Sequence, residues 1–329
     1  MLVRTPEPPP TTIEELVGAD LLASLDRLDV LSRKLFAGKL PGERRSKRRG
    51  QSVEFDDFRN YVPGDDLRHI DWNVYARLER LFIKLFREDE DLTVNVLVDN
   101  SLSMDAGDPS KALTAHRLAM TLAYIGLVNQ NRVSLGVFGT PSAPGLLRLA
   151  PIRGRRSVRR AGEFLLASIA RSEELERLAR SRSRPTDADP FTDAMRSAAM
   201  TSSGSGVMIV LSDFFASPDP ARGLDMIARR GGFDTTCIQL VAPGEIDPAS
   251  EAPRGLVGDL RLVDAETGRN AEVTLSASSI KRYRERFESY VEQLESACTA
   301  RSMLHLLVRS DADVGDLLLR VLRRRGVLG

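Results

Sequence analysis

The hydrophobic positions of the chain follow two rhythms. Short, nearly unbroken apolar runs at 92–98, 132–138, 206–212 and 234–241 read as strands buried on both faces. Between them lie longer stretches with apolar residues three and four apart, which predict helices over 110–130, 155–170, 191–201 and 219–230. Two more strands are expected, at 81–86 (LFIKLF) and near 145–150. LRLVDAETGRNAEVTL reads as a hairpin turning at Glu266 to Asn270, and a helix over 278–300, a strand over 303–308 and a helix over 313–325 close the chain. Upstream, Leu16, Leu21, Leu22, Leu25, Leu28 and Leu31 predict a helix over 13–37, and 66–78 reads as helical with Asp65 or Asp66 as its N-cap. Strands separated by helices of this length predict an α/β fold: a doubly wound, mainly parallel sheet with helices on both faces. An Arg- and Ser-rich stretch at 171–186 and the segment 245–276 read as insertions, and 1–12 reads as a disordered lead-in.

Composition changes this picture little. The 329 residues suffice for one α/β domain with appendages, and 42% apolar with 28% charged residues is a globular balance. A formal charge of +1 argues for neither a nucleic-acid nor a membrane partner. No apolar run approaches the length of a membrane span, and MLVRTPEPPPTT lacks the apolar segment of a signal peptide. Cys237 and Cys298 fit neither a zinc spacing nor a disulfide framework, so the cytoplasm is the expected compartment.

The candidate chemistry sits at strand ends. VNVLVDNSLSMD runs from a predicted strand into Asp99, Ser101 and Ser103, and VMIVLSDFF ends a second strand at Asp213. In an open parallel sheet the carboxyl ends of the strands form the ligand-binding rim. Thr192 opens the helix that lies between them in sequence. Asp99, Ser101, Ser103, Thr192 and Asp213 form a candidate all-oxygen set, the chemistry a hard cation such as Mg2+ (or Mn2+) requires. Neutral hydroxyls leave such an ion under-neutralised and open to one more carboxylate from a partner, which is a recognition device more naturally than a hydrolytic one. The sequence offers no nucleophile elbow, no phosphate-binding P-loop and no histidine beside an obvious nucleophile. His69 and His116 read as polar surface or interface residues and His305 as a core-strand residue.

These residues resemble the metal-ion-dependent adhesion site of von Willebrand factor A-type domains. In that family Asp99, Ser101, Ser103, Thr192 and Asp213 would be its five positions; here Pro190 and Phe191 stand before Thr192 where the family usually has glycine, and Thr186 in RPTDAD is the alternative to Thr192. The upstream core of Arg59, Tyr61, Pro63, Gly64, Asp65, Asp66, Arg68, Ile70, Asp71 and Trp72, followed by Ala76 and Arg77, resembles the signature of the domain-of-unknown-function-58 family. That resemblance covers roughly 20–325 and divides the chain into an N-terminal signature segment at 13–90, packing on the sheet, and an A-type domain at 91–329. It implies a bacterial, non-enzymatic adaptor or chaperone partner of a MoxR-type AAA+ ATPase, which would capture an acidic residue of a client protein through the metal. The alternative is a metal-dependent hydrolase acting on phosphate esters. Within the signature, Arg59, Arg68, Arg77 and the aspartates read as a charge-paired clamp, and Trp72 as a packing anchor. The basic loop at 39–49 reads as a solvated face; without aromatic residues among its arginines, single-strand nucleic-acid binding is not expected.

Overall fold

The computed structural model describes residues 10–18, 21, 28, 30, 54–63, 65–87, 92–140, 145–179, 189–248, 258–263 and 270–328. The chain forms two compact units, Phe36–Asp91 and the remainder, Met1–Leu35 with Leu92–Gly329. The division places the helix α1 (Ile13–Val17) with the larger unit, where it packs on the helix at Lys111–Val128. The expected single segment over 13–90 is therefore split.

In the smaller unit, β1 (Glu54–Asn60) pairs antiparallel with β2 (Phe82–Arg87), with an irregularity between Phe55 and Asp57. The predicted helix over 66–78 is two pieces. Asp66 caps a short turn of helix at Leu67–His69, Ile70 bridges to Ile83, and Asp71 caps α2 (Trp72–Leu78) by accepting from Asn73 N and Val74 N. The expected anchor Trp72 is 61% exposed, edge-on to Tyr75, so it is a surface residue. The charge pairs are local: Arg59 meets Asp65 at 2.8 Å and Arg68 meets Asp66 at 2.7 Å. Arg77 is exposed in the last turn of α2, and Gly64 lies outside the described residues.

The larger unit holds a six-stranded sheet. Its strands are β3 (Thr93–Asp99), β4 (Arg132–Phe138), β5 (Leu147–Arg153), β6 (Gly206–Ser212), β7 (Phe233–Val241) and β10 (Leu304–Arg309). They lie in the order β10-β7-β6-β3-β4-β5, all pairs parallel except β4 with β5. The hairpin strands β8 (Gly258–Val263) and β9 (Asn270–Leu275) match the expected hairpin, whose turn lies outside the described residues.

Period-two alternation sorts the apolar residues to two faces. Val94, Val96 and Val98 of β3 and Val207, Ile209 and Leu211 of β6 join the cluster under α3 (Lys111–Val128) and α4 (Val158–Ala179). Leu97, Met208 and Val210 join the other cluster, under α5 (Pro190–Thr201), α6 (Pro220–Arg230) and α8 (Ala277–Thr299). The short helix α7 (Pro243–Ile246) follows β7, and α9 (Val314–Asp316) continues as a wider helical turn through Leu322. The fold is α/β, doubly wound and mostly parallel, as expected.

Two boundaries and one burial differ from expectation. The helix predicted over 13–37 stops at Gly18, whose φ of +90° no helix continues through; most of 19–37 lies outside the described residues. The helix predicted to end near 170 runs to Ala179, so the first part of the expected insertion at 171–186 is helical. His116 is fully buried rather than a surface residue, its Nδ1 on Ala112 O and Nε2 on Ser168 Oγ, and burial pushes its pKa down to about 4. Among the described residues, no helix is long and apolar enough to cross a membrane. The basic loop at 39–49, residues 1–9 of the expected lead-in at 1–12 and Thr186 lie outside the described residues, whereas Thr12 is the N-cap of α1.

Candidate functional site

The order of the sheet decides where its ligand rim is. From β3 the chain winds outward through β4 and β5; after α5 it returns beside β3 at β6 and winds the other way through β7 and β10. The reversal falls between β3 and β6, the crevice where ligands bind in doubly wound folds. Asp99 is the last residue of β3, and Asp213 directly follows β6. Both side chains are fully buried.

The register explains the first contact. Val98 lies opposite Leu211, so Asp99 and Ser212 are the next residues on neighbouring strands. Ser212 Oγ donates to Asp99 Oδ2 and accepts from Phe214 N at 2.8 Å. Asp99 Oδ1 accepts from Ser101 N at 2.9 Å, which turns the chain off the strand. The two serine hydroxyls, Ser101 Oγ and Ser103 Oγ, then stand 3.1 Å apart. Ser101 is buried and Ser103 half-buried, so the hydroxyl pair leads outward from Asp99. Gly139, at the end of β4, closes the other side: at φ +80° its Cβ position would lie 2.7 Å from Asp99 Oδ1 and 2.9 Å from Ser101 N.

Thr192 reaches this rim through its neighbour. Phe191 packs edge-to-face on Phe138 (5.9 Å between centroids) and on Phe214 (5.4 Å). Phe138 pairs in register with Asp99, and Phe214 follows Asp213. The Thr192 hydroxyl donates to Asp189 Oδ2 at 2.7 Å, which leaves its oxygen lone pairs available. Asp189 also caps α5 and accepts from Ser217 Oγ at 3.1 Å, tying the loop after β6 to the same helix end.

Asp213 has a partner the sequence did not suggest. Lys111, the first residue of α3, is fully buried, and its Nζ donates to Asp213 Oδ2 at 2.7 Å and to Glu245 Oε1 at 2.5 Å. Phe215 N occupies Asp213 Oδ1 at 2.9 Å, and the Phe215 ring lies 5.1 Å from the ammonium. Glu245 spends its second oxygen on Ala242 N at 2.8 Å. Burial raises the Glu245 pKa, against the opposing pull of Lys111. Asp99 accepts from two uncharged groups. Burial first, and then the nearby Asp213 charge, push its pKa up to about 7.

Among the described residues no cluster of three or more His, Cys, Asp or Glu side chains has the arrangement of a metal site. The donors here are instead two buried carboxylates, Asp99 and Asp213, with three hydroxyls, and Asp213 shares the ammonium of Lys111 with Glu245, whose side chain is 22% exposed. Burial and the neighbouring Asp213 charge hold Asp99 toward its neutral form. A hard cation would relieve that repulsion with oxygen ligands alone, so the residues fit.

A family model described as "Protein of unknown function DUF58" matches residues 57–296. The chain belongs to the DUF58 family. The match spans both the signature segment and the rim just described. One relative, the uncharacterized protein Mb1516 of Mycobacterium bovis, is 26% identical over 263 residues, covering 79% of this chain and 76% of that one. Among solved structures, the conserved hypothetical protein BatB of Bacteroides thetaiotaomicron is similar at TM-score 0.39 and 15% identity, over 71% of this chain and 98% of that one. The VWA domain of SpRpn10 is similar at TM-score 0.30 and 11% identity, over 69% and 93%. In this DUF58 chain, three partners of the expected five residues escaped sequence reading, Lys111, Asp189 and Ser212, as did Glu245 behind Lys111. Asp189 carried a usable signal, standing three residues before Thr192 as an N-cap. A lysine opening an apolar helix carries none.

Proposed function

We propose that this DUF58 chain is a non-enzymatic, divalent-metal-dependent protein-binding module, and an adaptor or chaperone partner of a MoxR-type AAA+ ATPase. The observation that carries the metal reading is the meeting of Asp99 and Asp213, from two strands, at the reversal point of the sheet. The hydroxyls of Ser101 and Ser103 lead outward from Asp99, and Thr192 opens the helix packed over the same rim. In this reading Asp99 anchors the ion from the floor, Ser101 and Ser103 supply neutral oxygens, and Thr192 and Asp213 complete the set. When bound, Mg2+ or Mn2+ would supply a coordination position for a carboxylate of the partner protein. The ATPase partnership comes from the family resemblance alone, and the adaptor role follows from it.

The test is retention of proteins from a bacterial lysate on the immobilised chain, in magnesium and again in EDTA. The reading predicts that an AAA+ ATPase or its client is held in magnesium and released by EDTA. The same proteins held in both would count against it.

A further inference from the structure

We infer that Lys111 is a built-in counter-ion that competes with the divalent ion for Asp213, with Glu245 setting the balance by holding the ammonium from the other side. The inference rests on the metal-site reading above and concerns how that site is regulated.

Lys111 is an unusual residue to bury. It stands at the first position of α3, where the positive end of the helix dipole opposes a cation. Its side chain is nevertheless 0% exposed, as is that of Asp213. What holds it there is the pair of carboxylates, Asp213 on the loop after β6 and Glu245 on α7. Both Asp213 oxygens are thereby engaged, one by Phe215 N and one by the ammonium. An ion that draws on Asp213 must face a positive charge one hydrogen bond away, inside a medium that screens poorly. The Asp99 half of the site carries no such obstacle, since its contacts are the Ser101 amide and the Ser212 hydroxyl.

The site is thus divided. Asp99 and the serines face an ion with no competing cation, while Asp213 is held by an internal cation that must be shared or displaced. Glu245 decides how firmly. When the ammonium leans toward Glu245, Asp213 is released to the ion; when Glu245 loses its charge, Lys111 closes on Asp213. Glu245 also links the site to a distant face, because its backbone oxygen accepts from Tyr283 of α8 at 2.6 Å and the neighbouring Asp247 pairs with Arg284 of α8 at 2.6 Å. A partner that shifts α7 against α8 would therefore change the affinity of the metal site.

Substitutions of Lys111 and of its partner Glu245 give opposite signs, which a merely structural role of Lys111 does not. The experiment is calorimetric titration of the full chain with magnesium, and spin-resonance titration with manganese, for the wild type, Lys111→Met and Glu245→Gln. Circular dichroism of each variant checks the fold. Lys111→Met is expected to bind either ion about tenfold or more tightly, because both carboxylates then face it without a competing charge. Glu245→Gln is expected to bind about threefold or more weakly, because the ammonium is left to Asp213 alone. Binding to Lys111→Met but not to the wild type supports the inference in its strongest form. If Lys111→Met does not fold, Glu245→Gln decides: weaker binding supports the inference, and unchanged or tighter binding overturns it. If the wild type binds the ion and the variants match it, or Lys111→Met folds and binds more weakly, the inference falls and the metal site stands. If no form binds either ion, both fall together.

Discussion

Two ion pairs in this chain share one length and differ in everything else. Lys111 meets Asp213 at 2.7 Å with both side chains fully buried. Arg68 meets Asp66 at 2.7 Å with the arginine side chain 85% exposed and the aspartate 26% exposed. The surface pair exchanges water contacts for protein contacts at little gain, as exposed pairs do. The buried pair has lost its water, so each member depends on the other. Geometry alone therefore does not rank them; the surroundings do. The rim of the sheet, between β3 and β6, is where the fold concentrates charge out of water.

Breaking the buried pair has the largest expected effect. Lys111→Ala leaves Asp213 and Glu245 facing each other without a cation and is expected to cost about 3–5 kcal/mol in denaturant unfolding. A cost below about 1 kcal/mol would mean that water reaches the site and that the two pairs are alike after all. Next in size is Gly139→Ala. A methyl group there meets Asp99 Oδ1 at 2.7 Å on a backbone with φ +80°, so a loss of about 1–3 kcal/mol is expected, with weakened magnesium binding.

Proton linkage sharpens the comparison. His116 has a folded pKa near 4, below its ordinary 6.5, so the unfolded chain takes up the proton first and stability is lost as pH falls through 6.5 toward 4. Asp99 has a folded pKa of about 7, above its ordinary 3.8, so the folded chain binds its proton first. Its contribution is present at acid pH and is lost as pH rises from about 4 to 7. The two oppose each other. His116→Gln removes one of them, and its stability relative to wild type is expected to improve steadily as pH is lowered from 6.5 to 4.5, by up to about 3 kcal/mol in thermal or denaturant melts. A constant difference between the two proteins would contradict the burial of His116. The same Asp99 shift predicts that magnesium affinity falls as pH drops below 7, because the ion must displace a proton; titration in buffers of different ionisation enthalpy would read that proton.

The smallest effect belongs to the surface. Arg68→Ala is expected to leave the unfolding midpoint unchanged within error, and a clear loss would show that the signature segment depends on its charges. The single tryptophan, Trp72, is expected to emit like a solvated indole in the folded protein, with little change on unfolding.

The fold was legible where burial is two-sided. β3 and β6 carry unbroken apolar runs, so both strands and the acids at their ends could be read directly. β1 could not, because EFDDFRN is mostly polar and resembles a loop until β2 pairs with it. Helix ends were blurred for a similar reason: leucines continue past Gly18 at helical spacing, and periodicity does not register the positive φ that ends α1. At the site, Asp99, Ser101, Ser103 and Asp213 are local in sequence to strand ends, and a strand end is visible. Lys111 is not, since a lysine at the start of a helix looks solvated, and its carboxylate partners lie 102 and 134 residues away. The counter-ion of the site is a long-range fact, and only the folded chain contains it.

One measurement most directly tests the metal-dependent recognition site proposed at Asp99 and Asp213. The Asp99→Ala chain, shown to be folded by circular dichroism, would be immobilised beside the wild type and exposed to lysate in magnesium and in EDTA. The account predicts a protein retained by the wild type in magnesium, released by EDTA, and absent from the Asp99→Ala matrix under both conditions. Equal retention by both chains, insensitive to EDTA, would contradict it.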